Sequence, residues 1–543
     1  MAPSIPFPPR VALRGMVAAA DQLAGSAGIS LLDQGGSAAD AMVAAAAVMA
    51  VVGPHLCGLG GDVLAMVKAP GESPVALLAV GRAGSGADPR RLRADGHGDM
   101  PLRGDIRSVP VPGAVDGWLA LHGRYGRRPW DAVLEPALTL AEEGFAASPI
   151  LAFASHLVAD VPGASQLCPE GPLRPGQRVR LPGIARTLRN LATGGRDAFY
   201  GGEFGRALLD LGAGEYAAQD LDRPLAQWAE PLTLRAFGHD LWTVPPPSQG
   251  YLTLAGAWIA DEVGMPTDPA DPRWPHLVAE ASRAAGFDRP AVLFDGADGP
   301  ALVTPDRLGP RAAAIDPERV ASSGAAGAGV APWSGTSVSA DGDTTHLCAV
   351  DADGLGVSLT QSNALDFGAH LVAGGTGVFL HNRGVGFSLA PGHDAEYGPG
   401  RRPSHTLSPA LVTRPDGTLA QVIGTMGGDV QPQILLQLLA RMLHSGQDPA
   451  AAISAARVVI EAPGAPPFRL WQAPARSLLM EFDAPPSWLA GLESRGHRVR
   501  VVGALNPVDV GCSQIIAVES DDTHVTLTGA SDPRSPEGAA VGR

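Results

Sequence analysis

Residues 35–55, GGSAADAMVAAAAVMAVVGPH, open on a turn and continue as an almost unbroken run of alanine, valine and methionine. That pattern predicts a helix thin enough to pack closely on its neighbours. The next block, CGLGGDVLAMVKA (57–69), predicts a Gly-rich turn leading into a buried strand. Residues 109–126 and 129–145 carry apolar residues at three- and four-residue spacing and predict two helices. DLWTVPPPSQGYLTLAGA (240–257) predicts a strand, a rigid Pro-rich bend and a helix start, and 276–289 are again helical. From about Asp316 the periodicity stops. ASSGAAGAGVAPWSGTSVSADGD (321–343) is small, polar and Gly-rich, and predicts a disordered segment because it can bury so little. It meets THLCAVDADGLGVSLTQS (345–362), a strand–turn–strand pattern about Asp353-Gly354. The chain therefore divides at Asp343/Thr344. Composition alone leaves two readings of that division: a linker between domains, or a flexible lead-in to an ordered strand.

Composition narrows the chemistry. With 543 residues the chain is long enough for a large core, and the length prior suggests about three domains. The formal charge of −15 disfavours nucleic acid and anionic membranes as partners. Lys68 is the one lysine, so there is no GK[ST] phosphate loop and only one position for a Schiff base. Cys57, Cys168, Cys348 and Cys512 are widely spaced with no CxxC pair, which predicts buried reduced thiols rather than a zinc site or a disulfide framework. No metal or cofactor is expected. Prolines interrupt the N-terminal residues where a signal peptide needs an apolar run, and 38–52 are too short to span a bilayer. A soluble, cytoplasmic protein is expected.

DTTHLCAVDADGLGVSLTQS (343–362) resembles the T-T-H start of the small subunit in γ-glutamyltranspeptidases. The likeness continues, in the order of that family, through 35–62, VPGAVDGW (111–118), VPPPSQG (244–250), HLVAEASRAAGFDR (276–289), 367–387, RRPSHTLSP (401–409), GTMGGDVQPQ (424–433) and GASDPR (529–534). It implies the four-layer αββα sandwich of N-terminal-nucleophile hydrolases, an α/β fold. A large subunit (1–343) and a small one (344–543) would fold together as one domain, overriding the length prior. It also implies self-cleavage between Asp343 and Thr344 to a heterodimer of the two pieces, with a dimer of these as a further expectation.

The resemblance makes Thr344 the nucleophile. Cleavage would free an α-amine with an intrinsic pKa near ~7.7–8.0, a base on the same residue as the hydroxyl. Thr345 is the competing position. Gly427 and Gly428 match the glycines whose N–H groups form the family's oxyanion hole, since a residue without Cβ lets backbone donors approach closely. Ser362 falls where the family has a threonine that hydrogen-bonds the nucleophile's amine. Arg82 aligns with an arginine that holds the substrate's α-carboxylate.

The specificity positions depart from the family pattern. Arg383 and Gly386 stand where transpeptidases have glutamine and aspartate for the substrate ammonium, Ala364 replaces an asparagine, and His405 and Thr406 replace paired serines. An arginine repels an ammonium and receives a carboxylate or oxo-acid better. NRGVGF, RRPSHTLSP and MGGDVQPQ also resemble a divergent branch holding oxamate amidohydrolases and glutathione-hydrolase-like proteins. The expectation is a self-processing amide hydrolase on a γ-glutamyl compound such as glutathione, or on a small carboxylate-bearing amide such as oxamate. The alternative from another class is a non-catalytic binding protein.

Overall fold

The computed structural model describes residues 8–321, 343–473, 476–520 and 525–543. The segment expected to be disordered lies, apart from Ala321 and the backbone of Asp343, outside the described residues.

Two seven-stranded sheets lie face to face. The first runs in spatial order Ala539–Gly542, Met16–Ala19, Asp343–Val350, Gly356–Ala364, Asp62–Lys68, Val75–Ala79 and Ala226–Ala229. The second runs Arg10–Ala12, Val525–Ser531, Ser513–Ser520, Leu419–Thr425, Ala410–Thr413, His239–Thr243 and Leu232–Ala236. Every pairing within them is antiparallel. Each sheet takes strands from both sides of the Asp343/Thr344 division, so the pieces share one fold and neither sheet is complete without both.

The side-chain alternation of strands assigns the layers. On Asp343–Val350, Leu347 and Ala349 belong to a core beneath the helices, whereas Cys348 and Val350 pack between the sheets with Leu411, Val422 and Ile516. Outside the first sheet lie helices Gln22–Asp33, Ala38–Val52, Ala114–Tyr125 and Trp130–Glu143. Outside the second lie Tyr251–Glu262, Trp274–Gly286 and Gln431–Leu439. The result is the expected αββα sandwich.

Ala38–Val52 is buried along its whole length, which only a helix of small side chains permits among such close neighbours. A capping box of Ser37 and Asp40 starts it, and Asp351, in the turn after Val350, accepts a hydrogen bond from the Ala38 N–H at 2.9 Å. That bond ties the helix to the end of the Thr344 strand. The four cysteines are buried and unbonded to one another. Among the described residues no helix is long and apolar enough to cross a membrane.

Candidate active site

Thr344 opens its strand at an irregularity: Asp343 pairs with Ala364, but Thr345 pairs with Gln361, one residue out of step. Alternation then turns the even-numbered side chains toward the space between the sheets. Thr344 and Ser362 both face it, and the Thr344 hydroxyl donates to Ser362 Oγ at 3.0 Å. Thr345 takes the opposite phase, that of Leu347 and Ala349, and its hydroxyl has no hydrogen-bond partner among the described residues. The geometry thus separates the two threonines that the sequence left in competition.

Ser362 Oγ also accepts from the Ala364 N–H at 2.9 Å, in a turn where Ala364 has φ 77°. The Arg383 guanidinium approaches the same oxygen at 3.4 Å and donates to Thr406 Oγ1 at 3.1 Å. Arg383 is 1% exposed and lies 5.2 Å from the centre of the Phe468 ring. Burial pushes its guanidinium down to about 10, against the pull of Asp62 and Asp429. It makes no ion pair within 4 Å among the described residues, and its Nε has no hydrogen-bond partner. A buried cation in that state is stabilised by an anion.

Gln249 carries the connection to the glycines. Its amide donates to the Thr406 carbonyl at 3.0 Å and to the Gly428 carbonyl at 2.8 Å. Gly427 and Gly428 have φ of 129° and 54°, a backbone suited to glycine, and neither N–H donates to a described protein acceptor. A Cβ on Gly427 would stand 3.1 Å from Ile434 and 3.2 Å from Val430. Five of the candidate residues, Thr344, Ser362, Arg383, Thr406 and Gly428, therefore lie on one hydrogen-bonded run completed by Gln249. Gln249 sits inside the VPPPSQG motif, where nothing in the sequence marks its amide as the link.

A small cavity of ≈ 40 Å³ opens against Arg383, Thr406 and Gly386, with Arg289 and Arg469 also on its wall and no aspartate or glutamate among its lining. Arg289 is neutralised by Asp429 at 3.2 Å, and Arg469 by Asp99 at 2.9 Å. Arg383 is the cation left over.

Two candidates lie elsewhere. His405 is buried behind this wall: its Nδ1 accepts from the Leu407 N–H at 3.3 Å, so Nε2 carries the proton and donates to Asp62 Oδ2 at 3.2 Å. Burial, and then the charge of Arg383, pushes His405 down to about 4. Asp62 also accepts from the N–H groups of Gly81 and Gly113, and His381 Nδ1 lies 3.3 Å away. Burial would raise Asp62, but its contacts with His381 and His405 hold it well below the usual carboxylate range. His405 thus anchors the strand-like segment ahead of Thr406 and does not line the cavity. Arg82 donates to the Gly400 carbonyl at 3.0 Å and lies 3.6 Å from Asp295, and it does not line the cavity either.

A family profile described as gamma-glutamyltranspeptidase matches residues 24–542. The chain belongs to the γ-glutamyltranspeptidase family. Similar members are an oxamate amidohydrolase proenzyme of Klebsiella pneumoniae, 35% identical over 98% of this chain and 99% of that one, and a glutathione hydrolase-like proenzyme of Bacillus subtilis, 33% identical over 98% and 99%. In structure this family member superposes on a cephalosporin acylase from Bacillus halodurans with TM-score 0.85 and 28% identity, covering 100% of this chain and 99% of that one.

Proposed function

We propose that the protein cuts itself before Thr344 and then hydrolyses a small amide bearing a carboxylate beside the scissile carbonyl, of which oxamate is the simplest case. The run Thr344–Ser362–Arg383 carries this reading, because it links a hydroxyl at a potential new N-terminus to a buried cation that lacks an anion. In the processed enzyme the Thr344 α-amine takes the hydroxyl proton as Oγ attacks the carbonyl carbon. The N–H groups of Gly427 and Gly428 receive the oxyanion, and Arg383 with Thr406 holds the substrate carboxylate. The C–N bond breaks, the amine departs with the proton, and water resolves the Thr344 ester to the free acid.

Size and charge both favour a compact acid over a γ-glutamyl group. The cavity at Arg383 has room for about three water-sized groups, and its described lining offers no carboxylate for an α-ammonium. The 35% identity to an enzyme named for oxamate supports the same choice. Steady-state kinetics on oxamate, glutathione and γ-glutamyl p-nitroanilide test it. The expected result is oxamate turnover with a kcat/KM at least 100-fold above both γ-glutamyl compounds; the reverse order would overturn the substrate class.

A further inference from the structure

A second, larger cavity adjoins the Thr344 end of the sandwich, and neither the proposed function nor the family likeness absorbs it. Its volume is ≈ 320 Å³, eightfold that of the cavity at Arg383, and its wall is mostly apolar. Met426, which directly precedes the oxyanion glycine Gly427, forms part of it. So do Ala20 and Asp21. Ala19 pairs with Leu347 in antiparallel register, so the chain past Ala19 runs toward the Thr344 end of that strand. The strand on one side of Thr344 therefore leads to Arg383 through Ser362, and the strand on its other side leads to this cavity.

Apolar side chains Ile150, Phe153 and Leu157 make up an outer wall, and Phe153 is 65% exposed. Among the described residues, two polar side chains on the wall have unmatched atoms, His55 at both ring nitrogens and Glu537 at Oε1. His55 is 4% exposed, and neither ring nitrogen has a hydrogen-bond partner among the described residues. Burial pushes this imidazole down to about 4, so it is neutral at physiological pH and offers one donor and one acceptor. A pocket of this size, mostly apolar but edged by Asp21, Asp366, Arg534, Ser535 and Glu537 as well as His55, suits an organic ligand with an apolar body and a polar atom rather than ordered water.

We propose that this cavity receives the amine half of the amide substrate, and that the amine is a sizeable apolar one with a polar atom for His55. The inference rests on the reading of Thr344 as an amide-cleaving nucleophile and adds the substrate's second half. The acid half, fixed by Arg383, stays on Thr344 as the ester when the C–N bond breaks. The amine, carrying the proton from the Thr344 hydroxyl, leaves through the larger cavity, and water then releases the acid.

The test compares oxamate, N-methyloxamate and N-benzyloxamate on the processed enzyme and on Ile150→Trp, which fills the cavity away from the nucleophile. The expected kcat/KM for N-benzyloxamate is at least tenfold above that for N-methyloxamate. Ile150→Trp brings the ratio near one while oxamate turnover is unchanged. Benzylamine, but not methylamine at the same concentration, inhibits oxamate hydrolysis by the unsubstituted enzyme, a readout that needs no variant to fold. Equal constants for the two N-substituted amides with normal oxamate turnover would overturn the cavity assignment and leave the proposed function standing. A ratio unmoved by Ile150→Trp would also overturn that assignment. No turnover of any of the three would remove both.

Discussion

Thr344 and Arg383 are related through a single oxygen, Ser362 Oγ, and each makes a prediction of its own. Replacing Arg383 by leucine removes a charged hydrogen-bonding partner worth about 1.5–3 kcal/mol, so kcat/KM for oxamate should fall roughly 10- to 100-fold, mainly through KM. Arg383→Lys should recover part of that loss. Kinetics that ignored both changes would detach Arg383 from the substrate. At Gly427 the strain is steric and conformational: an alanine there must hold φ near 129° and press on Ile434 and Val430. Displacing a donor from the oxyanion position costs about 2.7–4 kcal/mol, so Gly427→Ala should lower kcat about 100- to 1,000-fold with a native circular dichroism spectrum. The sequence motifs point to Thr344, Ser362 and the two glycines, and the structure brings Thr344, Ser362 and Gly428 onto one hydrogen-bonded run. His405 and Arg82 stand outside the cavity at Arg383, because residue type does not say which wall a side chain stands behind. His405 turns to Asp62, a partner 343 positions away in the chain.

Elements were legible where one periodicity dominates. The alanine-rich run is the helix Ala38–Val52, and the two spaced patterns after it are Ala114–Tyr125, whose first turn starts only after Pro110 and Pro112, and Trp130–Glu143. The strand–turn–strand about Asp353-Gly354 is present as Asp343–Val350 and Gly356–Ala364, with Gly354 at φ 88°. The one-residue slip opposite Thr344 was not legible, since it depends on how the two strands pair and not on either alone. The close packing of Ala38–Val52 also makes a prediction: Ala45→Leu adds three heavy atoms where nothing is exposed. It should destabilise the protein by about 1–3 kcal/mol, read as a lower urea midpoint with unchanged slope.

On the scale of the molecule, the sheet order explains why the two pieces cannot be treated as domains. Asp343–Val350 lies between Met16–Ala19 and Gly356–Ala364, so the first strand after the Asp343/Thr344 division is held on one side by a strand from before it. The length prior misses this because chain length carries no information about interleaving. The interior also sets a pH dependence. His55, His346 and His405 are buried, and burial pushes them down to about 4, 3 and 4, against about 6.5 when unfolded. Between those values the unfolded chain binds the extra protons, so the stabilisation is complete above pH 6.5 and is lost progressively toward pH 4. Thermal unfolding should show a lower Tm at pH 5 than at pH 7.5; a Tm that held constant would contradict neutral burial of these rings.

The central claim is that the Thr344 hydroxyl both cuts the chain and catalyses hydrolysis, and intact-mass spectrometry of the purified protein tests it most directly. The prediction is two species, residues 1–343 and 344–543, with a small piece beginning at Thr344, and a single uncut chain without amidase activity for Thr344→Ala. Cleavage of Thr344→Ala at the same bond, or full activity in an uncut chain, would contradict it.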